Sequence, residues 1–481
     1  MKRFALILLL LIPVYVFPQN AGIENNIVKS ELVLFFPTFA SLNTTLKSLM
    51  KRFYGKNYAQ MEKQYSLNSE ASLGVDILDA KSLEGIGVDT AGPLAYVHVS
   101  NNYGYIVVTV KSEAKFKAYT KNILQDTVPS AIIGKYAILS ENPDITPNLK
   151  AALLTADEGF KISAAKLNFK WDKPFVWIDS KYLSAMSGGT MIPANVSIPY
   201  GFTAAVIDFA PDKIKLDLYS ALMSDKQSGF MKQIRIVNGK GKFDILDYGW
   251  GSPVVVGNVY MNFAELYRYY IAIDQLNVLG LKGIAADLMK KYNISIEKEL
   301  IANTDGRFKL VILKYDDLKK QYLIYGSIGI KDTKLSVSFM ENLKAMILKS
   351  GQKLYLFDIF TYPFYHYQTE NFSIYYGQVE NDFFFSTDKD LLITIVKNVF
   401  DNKNGYYKNL PAFFTQASQQ TKVGYFFTID VQSLFSSVNS SGMKFTSDFL
   451  TGIKDIYVFG NPDMDENPHG WNTTVEINFY K

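Results

Sequence analysis

Three histidines, His98, His366 and His469, and a complete lack of cysteine bound the chemistry open to this 481-residue chain. A hydrolase needs a nucleophile, a base and a group that orients the base. Without cysteine there is no thiol nucleophile, and no G-x-S-x-G turn lifts a serine above a sheet. Ser187-Gly188-Gly189 reads instead as a turn after a helix beginning at Lys181. His98 falls inside an apolar strand, VHV, where packing is its expected role. The three histidines lie far apart in sequence, and no motif joins them.

Metal chemistry fares no better. No H-E-x-x-H spacing offers a catalytic zinc site. Asp463, Asp465 and Asn467 begin like a calcium loop, but Pro468 and Thr474 stand where that loop wants glycine and glutamate. Asp179 and Asp430 each follow a strand and precede a helix, so they are expected to cap exposed amides. An acid–base pair is the alternative if they face each other. No glycine-rich phosphate loop is present, so the chain implies no cofactor, no metal and no catalytic residue.

What remains is aromatic. In IFTYPFYHYQ, Ile359 to Gln368, the candidate binding residues are Tyr362, Phe364, Tyr365, His366 and Tyr367. Strand alternation puts Phe360, Tyr362, Phe364 and His366 on one face and Tyr365 and Tyr367 on the other. Pro363 points to an edge or a bulge. One face is expected to pack on helices, leaving tyrosines, whose hydroxyls tolerate water, for a ligand.

The elements that position this patch come from a chain written twice. LVLFFPTFASL corresponds to VVVGNVYMNFAEL, and DTAGPLAYVHVS to NTDGRFKLVILK, which pairs Gly92 with Gly306 and His98 with Ile312. YGYIVVTVKSEAKFKAY corresponds to YLIYGSIGIKDTKLSVSF, with Ser112 or Asp332 at the expected helix N-cap. YAILSENPDI then matches FFFSTDKDL, and FVWIDSKYL matches FFTIDVQSL. A last hairpin, TAAVIDFAPDKIKLDLYS, matches the segment that ends in TTVEINF. The copies span 31–222 and 254–481, joined by a connecting segment, 223–253. The aromatic stretch belongs to a hairpin insertion near 349–380 that the first copy lacks.

Alternating strands such as KIKLDLYS and helices with apolar i, i+3, i+4 spacing predict an α+β fold. Its expected form is two homologous domains, each a curved antiparallel sheet with helices packed on one face.

The start, MKRFALILLLLIPVYVFPQNAG, reads as a secretory leader over 1–21, with an uncleaved anchor as the alternative. Absent cysteine, a chain this long can bury enough surface to dispense with disulfides outside the cytoplasm. A formal charge of +4 without a basic stripe argues against nucleic acid. The leader, Phe-Pro-x-Phe-x-x-Leu at a strand-to-helix entry, Leu-Gly-Val-Asp leading to Gly-Pro, and apolar-Ser-x-x-x-Asp-Leu together resemble a family of exported bacterial proteins catalogued as a domain of unknown function. That resemblance implies an envelope location and transfers no catalytic residue.

The expected function is therefore a non-enzymatic binding or interaction module, extracytoplasmic in the periplasm or at the cell surface. Its partner is an envelope protein, a cell-wall component or an apolar ligand, and it meets a membrane only through an uncleaved leader. The alternative is a carrier or sensor of an apolar ligand such as a lipid, with a hydrolase as a minor alternative.

Overall fold

The computed structural model describes residues 31–480 apart from 101–102, 125–127, 129, 141–157, 181, 183–200, 211, 223–249, 252, 273–280, 317–320, 370–372, 402–405, 408–423, 435–451 and 463–469. The leader, nearly all of the connecting segment, Ser187-Gly188-Gly189, the loop from Asp463 to Asn467 and His469 lie outside the described residues.

In the first half, β1 (Leu32–Phe36) enters α1 (Phe39–Tyr54), followed by α2 (Tyr58–Leu73) and α3 (Ala80–Gly85). Then come β2 (Leu94–Ser100), β3 (Tyr103–Thr109), α4 (Glu113–Asn122), β4 (Ser130–Ile133) and β5 (Tyr136–Ser140). Helix α5 (Glu158–Lys166) precedes β6 (Phe175–Asp179), β7 (Gly201–Ala210) and β8 (Lys213–Leu222).

The second half opens with β9 (Trp250–Gly251) and β10 (Pro253–Tyr260), then α6 (Phe263–Ala272) and α7 (Leu281–Tyr292). β11 (Thr304–Asp316), β12 (Gln321–Ile330) and α8 (Thr333–Lys349) lead into β13 (Leu354–Ile359), β14 (Tyr362–Gln368), β15 (Ser373–Val379) and β16 (Asp382–Ser386). After α9 (Lys389–Phe400) and β17 (Tyr406–Tyr407) come β18 (Tyr425–Asp430), β19 (Ile453–Pro462) and β20 (Gly470–Phe479). Strands β9 and β17 form a separate short parallel pair.

Local chemistry explains the helix starts. Thr38 caps α1 by accepting from the Ser41 amide at 3.0 Å, and Asp388 caps α9 from Leu391 at 2.9 Å. The two N-caps expected from the sequence, Ser112 and Asp332, both hold. Ser112 accepts from Lys115 at 3.5 Å, and Asp332 accepts from Lys334 and Leu335 at 2.9 and 3.2 Å.

The other 18 strands form one antiparallel sheet. The pairings of the first half read β4-β5-β3-β2-β1-β6-β7-β8. Those of the second, from the same junction outward, read β20-β19-β18-β10-β11-β12-β16-β15-β14-β13. Taken outward from the middle, the strands follow one connectivity in both halves, and only the second continues into β14 and β13.

Two expectations are corrected here. The sheet does not divide into one per domain, because β8 and β20 pair along their length, from Ala221 opposite Gly470 to Lys213 opposite Asn478. Both strands are alternating and of matched length, so each supplies the edge that the other lacks. Nor do helices cover one face alone. Leu34, Tyr96 and Val108 pack under α1 and α4, while Phe35, Val97, Val107 and Trp177 pack on the opposite face with Phe160 of α5. Burial on both sides accounts for the uninterrupted apolar run LVLFF in β1.

The junction has two unlike faces. Ile214, Leu216 and Leu218 lie beside Ile477, Val475 and Thr473 on one side. On the other, Lys213 Nζ meets Glu476 Oε2 at 3.1 Å, and Thr474 Oγ1 donates to Asp217 Oδ1 at 2.8 Å. The end of α1 reaches across to the second half, placing the Arg52 guanidinium 4.3 Å from the centre of the Phe479 ring.

Candidate functional site

The aromatic insertion is the hairpin β13–β14 at the outer end of the sheet. Its turn uses Phe360 at φ 55, and the strands pair from Ile359 opposite Tyr362 to Leu354 opposite Tyr367. Pairing of β14 with β15 begins at Phe364 opposite Gly377, so Pro363 lies beyond that ladder and its missing donor costs nothing on that side. Gly377 is required there: a Cβ would collide with the Phe364 ring lying over it.

The five candidate residues divide by face and burial. Phe364 is fully buried with Phe357 and with Leu391, Leu392 and Ile395 of α9. Tyr362 packs 5.6 Å from Phe400. Tyr365 is also buried, stacked 5.6 Å from Tyr376 beneath Met340 of α8, and its Oη donates to Glu341 Oε1 at 2.8 Å. Burial, with Glu341 close by, pushes the Tyr365 hydroxyl up to about 12. Tyr367 packs half-buried against the same cluster.

The tyrosine face is therefore covered, contrary to the expectation that it stays open. Helix α8 roofs it as α9 roofs the opposite face. Phe360 turns out to belong to the turn rather than to a strand face.

His366 stands in a ladder of three rings. It stacks 4.1 Å from Tyr375 at an interplanar angle of 9° and 5.6 Å from Tyr355, and its Nε2 lies 2.9 Å from Ser373 Oγ. Desolvation, with Lys389 adding to it, holds the imidazole below its ordinary pKa, which favours the neutral ring. The outermost strand carries the accessible apolar surface: Tyr355 is 49% exposed and Leu356 63%. Among the described residues β13 pairs with β14 alone, leaving its outer row of amides and carbonyls without a strand.

The other sequence candidates do not assemble. Asp430 accepts from the Ser433 amide at 2.9 Å and from its hydroxyl at 2.7 Å, as a cap should. Asp179 lies on β6, five strands from β18, and their registers meet β20 at opposite ends, Gly470 for Asp179 and Asn478 for Asp430. The two carboxylates do not form a pair. His98 is held 3.5 Å from Glu31 Oε2, and desolvation lowers its pKa against the pull of Glu31. Among the described residues no group of three or more His, Asp or Glu side chains could hold a metal, and no helix is long and apolar enough to cross a membrane.

Sequence reasoning missed one row. Across β18-β10-β11-β12-β16 run Phe426, Asn258, Lys309, Ser327 and Phe384, each directly opposite the next. The equivalent row across β6-β1-β2-β3-β5 is Phe175, Phe35, Ala95, Val107 and Ile138. The copy alignment itself carried the signal, because matching Gly92 to Gly306 sets Lys309 on Ala95.

No protein-family model matches the chain, and no curated protein matches it. Among solved structures, crystal form IV of TP0453 overlaps 48% of this chain and 78% of its own at 7% identity and a TM-score of 0.27. Crystal form I of TP0453 overlaps 50% and 93% at 8% identity, again with a TM-score of 0.27.

Proposed function

We propose that the chain is an exported, non-enzymatic binding module whose second half takes an extended segment of an envelope polypeptide onto the outer edge of β13. The observation that carries this reading is the edge itself. It is six residues long and unpartnered on its outer side among the described residues, with Tyr355 and Leu356 standing out from it. Sheet edges are ordinarily blunted by charge, proline or a bulge; β13 carries one charge, Asp358 near its turn, and the apolar stretch before it, Leu354 to Phe357, is a template for strand addition. The secretory leader at 1–21 supports export, and the shared connectivity together with the ordered sequence matches supports descent of both halves from one duplicated unit.

A photo-crosslinking residue placed at Tyr355, beside Leu356 on the same strand, and activated in the producing cell tests the proposal. The expected result is a crosslink to a polypeptide, lost when Leu356→Pro removes a donor from the edge. An unchanged crosslink pattern in L356P, or no adduct at all, sinks the reading.

A second reading, carriage of an apolar ligand such as a lipid, is favoured by the half-buried aliphatic face of the junction, where Ile207, Leu216, Val475 and Val458 lie in line across four strands. Mass spectrometry of lipids extracted from the purified protein tests it, with an unrelated protein as control. Nothing above that control removes it.

A further inference from the structure

The row Asn258–Lys309–Ser327 makes chemical sense as a site. Its side chains are 0%, 2% and 2% exposed. Among the described residues neither end of the Asn258 amide nor the Ser327 hydroxyl has a hydrogen-bond partner. Buried polar atoms in natural cores are nearly always paired, because leaving one bare costs its desolvation in full. The fold does not need polar residues here. At the same three places the first half seats Phe35, Ala95 and Val107, all fully buried in an apolar cluster.

The three side chains stand one strand spacing apart, about 4.8 Å, on adjacent strands and on the same face. Asn258 and Ser327 offer amide and hydroxyl hydrogens, and Lys309, itself already engaged, stands between them as the local positive charge. Around them the surface is apolar: Val256, Val311, Tyr325, Phe384 and Phe426. Donors in an apolar surround suit a group with anionic oxygens whose body is not itself charged.

We propose that this row binds a carboxylate, with Asn258 and Ser327 donating to its oxygens beside the Lys309 ammonium. The site is distinct from the β13 edge and does not depend on it. The carboxylate is either a small free acid or the head of a fatty acid, and both present the same oxygens. Because the row is closed to solvent, uptake requires local opening and association is slower than a surface encounter.

The test is titration of the full chain with a fluorescent polyene fatty acid, its methyl ester and acetate. The ester keeps the apolar body and loses the anionic oxygens, so it is expected to bind about tenfold or more weakly than the acid. Competition by acetate identifies a small acid as sufficient, and its failure to compete identifies a lipid acid; both sustain the proposal.

Ser327→Val and Asn258→Phe, the first half's own residues, are expected to abolish the preference for acid over ester without lowering the unfolding midpoint. Equal binding of acid and ester by the unaltered chain overturns the proposal, as does no binding of any acid. So does an unchanged preference in S327V. If N258F fails to fold, S327V and the acid–ester comparison on the unaltered chain decide the matter.

Discussion

The two halves of this sheet solve one packing problem with different chemistry. At the centre of the first, Phe35 is surrounded by rings: Phe169 at 5.7 Å and Trp171 at 5.0 Å, both edge-on. At the equivalent place in the second stands Asn258, with Lys309 and Ser327 where the first half has Ala95 and Val107. The first half also stops at β4, whereas the second runs on into a roofed aromatic hairpin. The two halves thus share a strand order and differ in what the middle of the sheet encloses, rings in the first and three polar side chains in the second.

The sharpest way to break that comparison is to empty the two central positions. Phe35→Ala removes a fully buried ring and is expected to cost about 3–5 kcal/mol. Asn258→Ala removes an amide with no partner among the described residues, and is expected to cost less than about 1 kcal/mol or to stabilise. Denaturant titration of both variants measures this. Equal losses would show that Asn258 is packed as tightly as Phe35 and remove the contrast between the interiors.

The hairpin comes next in size. Tyr365→Ser is expected to lose about 2–4 kcal/mol, because it opens the cluster under α8 and forfeits the bond to Glu341. Tyr367→Ser, at a half-buried site, is expected to lose about 1 kcal/mol. If Tyr365→Ser leaves the midpoint untouched, the hairpin is an appendage rather than part of the core.

The matched caps allow a finer contrast. Asp332→Ala is expected to cost about 1 kcal/mol and Ser112→Ala about half that, since Asp332 holds two amides at shorter range. Reversal of that order would show that cap geometry does not set the difference.

The smallest effects concern pH. Burial holds both His98 and His366 below the ordinary 6.5, so the unfolded chain binds more protons than the folded one. Their contribution is therefore intact above about pH 6.5 and declines as pH falls below it. The neighbours act oppositely: Glu31 raises the His98 pKa, while Lys389 lowers that of His366. Glu31→Gln should steepen the acid loss of stability and Lys389→Gln should soften it, as midpoints measured between pH 7.5 and 5 would reveal.

The sequence carried the strands and the helix caps, because alternation and capping residues are local signals. It did not carry the roofs. A period of two says that a strand has two faces and not which of them a helix will cover, so Tyr365 read as water-facing until α8 was placed above it. Nor did it carry the continuity of the sheet, since any alternating strand is an eligible neighbour for β8. The polar row was hidden by its own pattern. In FKLVILK, Lys309 shares its phase with Val311 and Leu313 in a nearly continuous apolar run, and a lone lysine at the start of such a run reads as the strand's exposed beginning until the covered face puts it inside.

The β8–β20 pairing imposes a schedule on the chain. Lys213 and Glu476, which meet across it, are 263 residues apart. At synthesis rates of roughly 5–20 residues per second, β8 waits about 13–50 s for the strand that will complete it. During that interval the first half is a finished object with one raw border. Lys213, Lys215 and Asp217 put charge on that border, the feature by which natural sheet edges discourage pairing with a neighbouring chain. Their charge, of modest worth once the sheet is whole, matters most before the molecule is complete.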